Sequence, residues 1–383
     1  MGRMLYIALA LLAFSQSQHA MADEMSDQIR TNLVASEIRR FMNTQAKRSE
    51  GALTALTLSI GDPETLELAR AFGQARPGQT ATPDTRFAIA SISKSITAAT
   101  ILRAIAHREL QTRDGRPVEL DTDIRDIFAG VGHWAREGAG AIRVRNLLTM
   151  TSNLPNFTRQ PPALIDPWGS VGAERLLRAV REFQPHGWPN TFEYNNTGYF
   201  LLAEILEHAA LSRGTNGSRF EAAILRTTAL ADMRDTHLRN APDNPDNLAQ
   251  PNYSRPRSAF TAGYWLKGSA DLVSTATDLY LWNAAFMSGR IVTADMRDLM
   301  LSDQARVDPT TYYGMGWFIE HESDRDIFSH TGSVPGYTSV NMIVRRLDTA
   351  RWRSVTILTN GEEVEGLDIL AKDVLRVFEQ RLN

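Results

Sequence analysis

The 383-residue sequence contains no cysteine, so it has no disulfide, no cysteine-linked lipid anchor and no thiolate metal site. Long apolar runs are also missing. The run LYIALALLAF over residues 5–14 is too short to cross a bilayer, and no later segment is longer without interruption. It follows Arg3 and precedes Ala20-Met21-Ala22, so residues 1–22 read as an export signal. The expected product is a periplasmic or secreted chain with no stable membrane insertion. Charge of one sign is equally scarce: 41 Lys and Arg face 44 Asp and Glu, a net of −3, and they are interspersed. Without a basic stripe, neither nucleic acid nor an anionic membrane is an expected partner. His-Glu-x-x-His is absent and no metal or other cofactor is implied. A Gly-x-Ser-x-Gly elbow is absent too, which argues against an α/β-hydrolase triad.

What is present can bury a sizeable core, since 43% of the residues are hydrophobic. ALTALTLSIG (52–61) and LELARAFG (66–73) are β-rich runs around Gly61-Asp62-Pro63, a hairpin-like signal. From Ser91 to about Glu109 the pattern turns helical, and helix and loop continue for most of the next stretch. A helix near 275–287 then precedes three β runs, YGMGWFIE (313–320), TSVNMIVRR (338–346) and RSVTILTN (353–360). An amphipathic helix over 366–382 closes the chain. Strands at both ends with helices between predict one sheet completed by distant segments. The expected lobes are an α/β lobe of residues 23–90 and 255–383, and a mainly helical lobe of residues 91–254 inserted into it.

Three short motifs carry chemistry. In Ser91-Ile92-Ser93-Lys94, a helix opening at Ser91 would put Lys94 on the same face, so hydroxyl and amine could touch. The helix N-terminus favours negative charge on the serine oxygen, and a desolvated lysine can take its proton. Alone, Ser-x-x-Lys is expected roughly once per chain of this size by chance. In Tyr194-Asn195-Asn196, the phenol can donate or relay a proton and the Asn196 amide can bind both a lysine and a substrate carbonyl. Either asparagine could equally cap the following helix. His330-Thr331-Gly332, followed by Ser333 and Pro335-Gly336, fits a substrate-binding strand edge or a simple polar turn.

Taken in order, Ser-x-x-Lys, Tyr-x-Asn and His-Thr-Gly resemble the penicillin-recognising serine hydrolases: class C β-lactamases, serine D-alanyl-D-alanine carboxypeptidases, and related esterases and D-amino-acid amidases. The segments TRFAIASISKSITA, RVRNLLTMTSNLP, FEYNNTGYFLLAEILE, LVSTATDL, YGMGWFI and HTGSVPGY are similar to that family's, from about residue 50 to the C-terminus. The resemblance implies an α+β fold of class C β-lactamase type, with an antiparallel sheet flanked by helices and an inserted mainly helical lobe. It implies that Ser91 is acylated, that Lys94 and Tyr194 share and pass on its proton, and that Asn196 positions the acyl donor. The backbone N–H groups of Ser91 and Ser333 would form the oxyanion hole, with His330, Thr331 and Gly332 lining the substrate strand. The implied substrate is a small molecule or peptide: a D-alanyl peptide or amide, an ester or a β-lactam. Competing expectations are a true β-lactamase and a non-catalytic sensor of penicillin or peptidoglycan.

Departures from that pattern bear on the substrate. Many β-lactamases of this group have lysine where His330 stands, and a neutral imidazole would hold a substrate carboxylate less strongly. Weak β-lactam hydrolysis is therefore expected. Asn153 stands where glycine is common and tolerates a left-handed turn. Ala270-Asp271 replaces a usual Gly-Gly pair; Asp271 is expected to cap a helix, the other option being a carboxylate near the pocket that favours an amine-bearing substrate.

Overall fold

The computed structural model describes residues 25–47, 53–131, 134, 141–159, 173–186, 191–211, 218–239, 247–253 and 266–379. The expected export signal lies outside them. In chain order the helices are α1 (25–45), α2 (Ser93–Ala106), α3 (Ile124–Ile127), α4 (Val144–Leu148), α5 (Ala173–Arg181), α6 (Asn196–His208), α7 (Arg219–Ala229), α8 (Ala276–Met287), α9 (Ala294–Met300) and α10 (Leu367–Glu379). The strands are β1 (Ala55–Gly61), β2 (Leu66–Arg76), β3 (Gln79–Thr80), β4 (Phe87–Ala88), β5 (His237–Leu238), β6 (Leu272–Ser274), β7 (Ala305–Arg306), β8 (Thr311–Tyr313), β9 (Phe318–His321), β10 (Arg325–Val334), β11 (Tyr337–Arg346) and β12 (Trp352–Thr359).

Nine strands form one antiparallel sheet in the order β3-β2-β1-β12-β11-β10-β9-β8-β7, and β4, β6 and β5 form a small second one. Side-chain alternation gives the large sheet two covered faces. In β1, Leu56, Leu58 and Ile60 pack with Val34 and Ile38 of α1 and with Leu370 and Val374 of α10. On the opposite face Ser59 Oγ donates to Ala276 O at the start of α8, at 2.7 Å. Cover on both sides is why β1 is buried at every position. The arrangement is the α+β one expected, an antiparallel sheet flanked by helices, with the mostly helical stretch lying between its first and last strands in sequence.

Helix α2 runs through the interior, buried from Ser93 to Leu102. A helix buried all round must satisfy its own polar side chains, and here they do so locally: Ser95 Oγ donates to Ile92 O at 2.9 Å and Thr100 Oγ1 to Ile96 O at 2.8 Å. It ends at Ala106, short of the expected Glu109, because Arg108 takes a left-handed φ of 54°. The run YGMGWFIE also differs from expectation. It splits into β8 and β9, and Gly316 turns between them at φ 86°, so glycines inside a β-rich run mark a break in the strand.

Helix α6 carries a buried ion cluster. Lys267 Nζ donates to Glu204 Oε1 at 2.9 Å and to Glu207 Oε2 at 3.0 Å, and the Lys267 and Glu204 side chains are 8% and 3% exposed. Burial pushes the Glu207 carboxyl up, but the Ser218 hydroxyl and the Lys267 charge outweigh it and hold it down at about 2. A carboxyl depressed in this way adds stability at neutral pH, and the gain is lost as pH falls through the ordinary carboxylate range toward 2. Lys267→Met removes the buried cation, leaving Glu204 with His208 and Glu207 with Ser218 and the Arg219 N–H, and is expected to cost about 3 kcal/mol. Urea unfolding at neutral pH reads this cost, which narrows in acid.

Candidate active site

Strand β4 delivers the chain to Ala90, whose φ is +49°. A left-handed alanine is uncommon and is held by its surroundings. Ser339 Oγ donates to Ile89 O at 2.9 Å, and Ile89 N–H donates to Leu272 O at 3.0 Å, so the preceding residue is clamped from two strands. Ser91 follows in the 3-10 turn Ala90–Ile92 that feeds α2. The one-turn spacing then brings Lys94 Nζ to 2.9 Å from Ser91 Oγ. The same amine donates to Ser269 O at 2.8 Å. Lys94 is fully buried. Burial lowers its pKa well below the lysine range, against the pull of the Asp271 charge. Amine and hydroxyl thus stand within proton-transfer distance, 2.9 Å apart.

Tyr194 stands just before α6, and its neighbours settle the capping question left by the sequence. Asn195 is the cap, its Oδ1 accepting from Gly198 N–H at 3.0 Å, while its Nδ2 donates to Leu154 O. That frees Asn196 for the site side. Its Nδ2 donates to Thr158 Oγ1 at 3.2 Å and its N–H to Asn156 Oδ1 at 3.3 Å. No hydrogen bond joins Asn196 to Lys94, and Ser269 O takes that place. Lys94 Nζ lies 5.1 Å from the Tyr194 ring centroid. Burial raises the Tyr194 phenol above its ordinary pKa, opposed by a hydrogen bond with Ser91, so the group is a neutral donor.

His330, Thr331, Gly332 and Ser333 all lie in β10. Strand β9 pairs with β10 only from Asp326 to Ser329, and beyond that no strand among the described residues covers this edge. On the other edge β10 and β11 close a hairpin at Pro335-Gly336, between paired Val334 and Tyr337. Proline presets the turn and Gly336 supplies φ 78°. The pair that closes a two-residue turn exchanges hydrogen bonds, so parity turns the backbone groups of Ser333 and Thr331 toward the uncovered edge. Gly332 is where β10 meets the Ala90–Ile92 turn: a Cβ there would lie 2.5 Å from Ile89 O and 3.0 Å from Ala90 Cβ. Thr331 and Ser333 are exposed, and His330 and Gly332 are buried on the other face.

His330 is packed among aromatic rings, with centroids 5.2 Å from Phe318, 6.1 Å from Tyr194 and 6.2 Å from Tyr313. Its Nδ1 lies 2.7 Å from Thr331 O. A carbonyl only accepts, so Nδ1 carries the proton and Nε2, buried without a partner, is an acceptor. Burial, and secondarily the Lys94 charge, push the imidazole down to about 3, against the Thr331 hydrogen bond. It is neutral throughout the working range.

The structure thus groups Ser91, Lys94, Tyr194 and His330 and lays Gly332 against the Ala90–Ile92 turn, with Ser333 and Thr331 along the open edge and Asn196 beside Thr158. Sequence reasoning missed Ser269, which acts through its carbonyl and carries no side-chain signal. It also misplaced Asp271. Helix α8 is capped by Thr275, whose Oγ1 accepts from Asp278 N–H at 3.0 Å, whereas Asp271 is buried and its Oδ1 accepts from Gly268 N–H at 3.2 Å. Asn153 does take the left-handed turn, at φ 53°. Among the described residues no cluster of three or more His, Asp or Glu is arranged to hold a metal, and no helix is long and apolar enough to cross a membrane.

A family model described as Beta-lactamase matches residues 35–377. Penicillin-binding protein 4* of Bacillus subtilis (strain 168) is 25% identical over 248 residues, covering 58% of this chain and 52% of that protein. The chain therefore spans about half the length of that curated relative. The octameric penicillin-binding protein homologue from Pyrococcus abyssi superposes with a TM-score of 0.73 at 20% identity, over 91% of this chain and 77% of that one. The D-amino acid amidase from Ochrobactrum anthropi SV3, complexed with L-phenylalanine, gives 0.71 at 21% identity, over 90% and 98%. At such identities the two solved structures bear on the fold alone.

Proposed function

The chain belongs to the Beta-lactamase family of serine hydrolases, and from that membership we propose that it is an exported acyl-transfer enzyme acting on D-alanyl peptides or D-amino-acid amides. The observation that carries this reading is the 2.9 Å contact between Ser91 Oγ and a fully buried Lys94 Nζ. In this reading Lys94 takes the Ser91 proton as Oγ attacks the acyl carbon. The developing oxyanion is received by the N–H groups of Ser91 and Ser333, each worth about 3 kcal/mol. Tyr194 relays the proton to the leaving amine, and water then hydrolyses the acyl-enzyme. The acyl donor lies along the open edge of β10 over Thr331, Gly332 and Ser333, with Asn196 holding its side chain. In this reading the lobe of residues 91–254 supplies Ser91, Lys94, Tyr194 and Asn196, and that of residues 23–90 with 255–383 supplies His330, Thr331, Gly332 and Ser333.

The substrate order rests on His330. A neutral imidazole supplies no fixed positive charge for the carboxylate of a β-lactam, and cephalosporins come last for that reason, behind amides, peptides and esters.

The test is intact-mass and rate measurement on the purified protein and Ser91→Ala, with a fluorescent penicillin, a p-nitrophenyl ester, D-alanyl peptides, D-amino-acid amides and a cephalosporin. A Ser91-dependent penicillin adduct and turnover of the amides or peptides are expected, with the cephalosporin slow. Absence of any Ser91-dependent adduct or turnover sinks the enzyme reading, a stable adduct with no turnover of anything favours the sensor, and fast cephalosporin hydrolysis overturns the substrate order. The rate should rise with pH as Lys94 loses its proton, on a limb well below the ordinary lysine range. His330 contributes no limb near neutrality.

A further inference from the structure

Residues 266–272 are lashed along one face of α2. Thr97 Oγ1 donates to Gly268 O at 2.8 Å, Lys94 Nζ to Ser269 O at 2.8 Å, and Leu272 N–H to Ser93 Oγ at 3.3 Å. Gly268 takes φ 72°, and a Cβ on it would lie 2.6 Å from Tyr199 O, so the segment also sits hard against α6. Within it, Gly268 N–H donates to Asp271 Oδ1, folding the carboxylate back over the turn whose carbonyl holds Lys94. Asp271 is 8% exposed, and a carboxylate closed under its own turn is not placed to meet a substrate amine. Its charge nevertheless acts on Lys94.

Resting on the reading of Lys94 as the base for Ser91, we propose that Asp271 is a positioning residue: across the Gly268–Asp271 turn its carboxylate is the counter-charge for the Lys94 ammonium that forms during acylation. In that step the Ser91 proton moves to Lys94 Nζ, the Oγ–C bond forms, and the carbonyl π pair moves onto oxygen. When the leaving group departs with the C–N or C–O pair, the ammonium returns its proton through Tyr194. Once ionised, Asp271 neither gives nor takes a proton in the step. A cation formed in a buried site has lost its water, and a nearby opposite charge recovers part of that loss.

The other groups around the pair are neutral or engaged elsewhere; Arg239, whose N–H donates to Asp271 O at 2.8 Å, lays its guanidinium over the Tyr337 ring. Tyr194 and Tyr199 present their rings at 5.1 and 5.7 Å from Lys94 Nζ. Burial keeps these phenols and that of Tyr313 on β8 protonated, and keeps His330 on β10 neutral. Lys267 acts on Asp271 but is itself held by Glu204 and Glu207. Burial raises the Asp271 carboxyl to about 7, so its support for Lys94 grows in as pH rises through neutrality.

Asp271→Asn and Asp271→Ser keep an acceptor for Gly268 N–H and remove the charge. For p-nitrophenyl ester acylation, the plateau of kcat/KM should fall about three- to tenfold. Its acid limb should move about one unit to lower pH, because Lys94 holds its proton less tightly without the counter-charge. KM should change little. An unmoved limb in a variant with wild-type melting overturns the proposal. Should neither variant fold, 13C titration of the Asp271 carboxyl in wild type and Lys94→Met reads the same coupling in reverse. Its midpoint should rise when the ammonium is removed, and equal midpoints overturn the proposal. Wild-type protein without Ser91-dependent acylation, or acylation that survives Lys94→Met, would instead remove the underlying reading of the site.

Discussion

Lys94→Met is expected to lower the rate of Ser91 acylation about a thousandfold, within the range for loss of a positioned general base. Methionine fills a similar volume and carries no amine. The fold should survive, since the main loss is the donor to Ser269 O, a cost of about 1–3 kcal/mol for a stranded carbonyl. Ser91→Ala should abolish the adduct outright. The double variant should be no slower than Ser91→Ala, because groups that act as a unit are not additive. Stopped-flow acylation by a p-nitrophenyl ester, alongside thermal melting, separates the two effects. A Lys94→Met enzyme within tenfold of wild type would mean that the buried amine is structural and that the proton leaves Ser91 by another route.

Gly332→Ala is the second large effect. The added methyl would lie 2.3 Å from Ser339 Oγ, 2.5 Å from Ile89 O and 3.0 Å from Ala90 Cβ. The serine cannot turn away freely, because its hydroxyl holds Ile89 O at 2.9 Å, and the other two contacts are rigid. Strand β10 must therefore back away from the Ala90–Ile92 turn. The N–H groups assigned to the oxyanion hole sit one on each of these two pieces, Ser91 on the turn and Ser333 on the strand. Misplacement of an ångström at such a site costs on the order of a hundredfold. The expected result is about that loss in kcat with a smaller change in KM, and about 1–3 kcal/mol of stability from overpacking. Unchanged kcat in a folded Gly332→Ala would show that the strand does not complete the site.

The sequence was most legible where chemistry and local periodicity coincide. Ser91 and Lys94 are three residues apart, so their contact follows from a single helical turn, here the 3-10 turn that feeds α2. Tyr194 could be placed before a helix because asparagines follow it, but which asparagine caps depends on whether Asn195 reaches Leu154 O, a partner supplied by a distant loop. The burial of His330 could not be read at all. Its neighbourhood is polar in sequence, and the rings that enclose it come from Tyr313, Phe318 and Tyr194, which only the fold assembles. Asp271 was misjudged for a related reason. An aspartate shortly before a helix looks like a cap, yet Thr275 is nearer the helix start and took that role. Ser269 contributes a backbone carbonyl, which any residue could supply.

The pairing of β1 with β12 has a consequence for how the chain acquires this shape. Ala55 N–H donates to Asn360 Oδ1 across 305 residues of sequence, and the middle of the large sheet is closed by the strand made last. Until Trp352–Thr359 is available, the hairpin of β1 and β2 presents an unpaired edge bearing Leu56, Leu58 and Ile60 on one face. Contacts this remote in sequence form slowly, and a bare apolar edge is open meanwhile to pairing with other chains. Chains interrupted before β12 should therefore collect as aggregates rather than as partly active enzyme, however intact the Ser91 and Lys94 turn that they already carry.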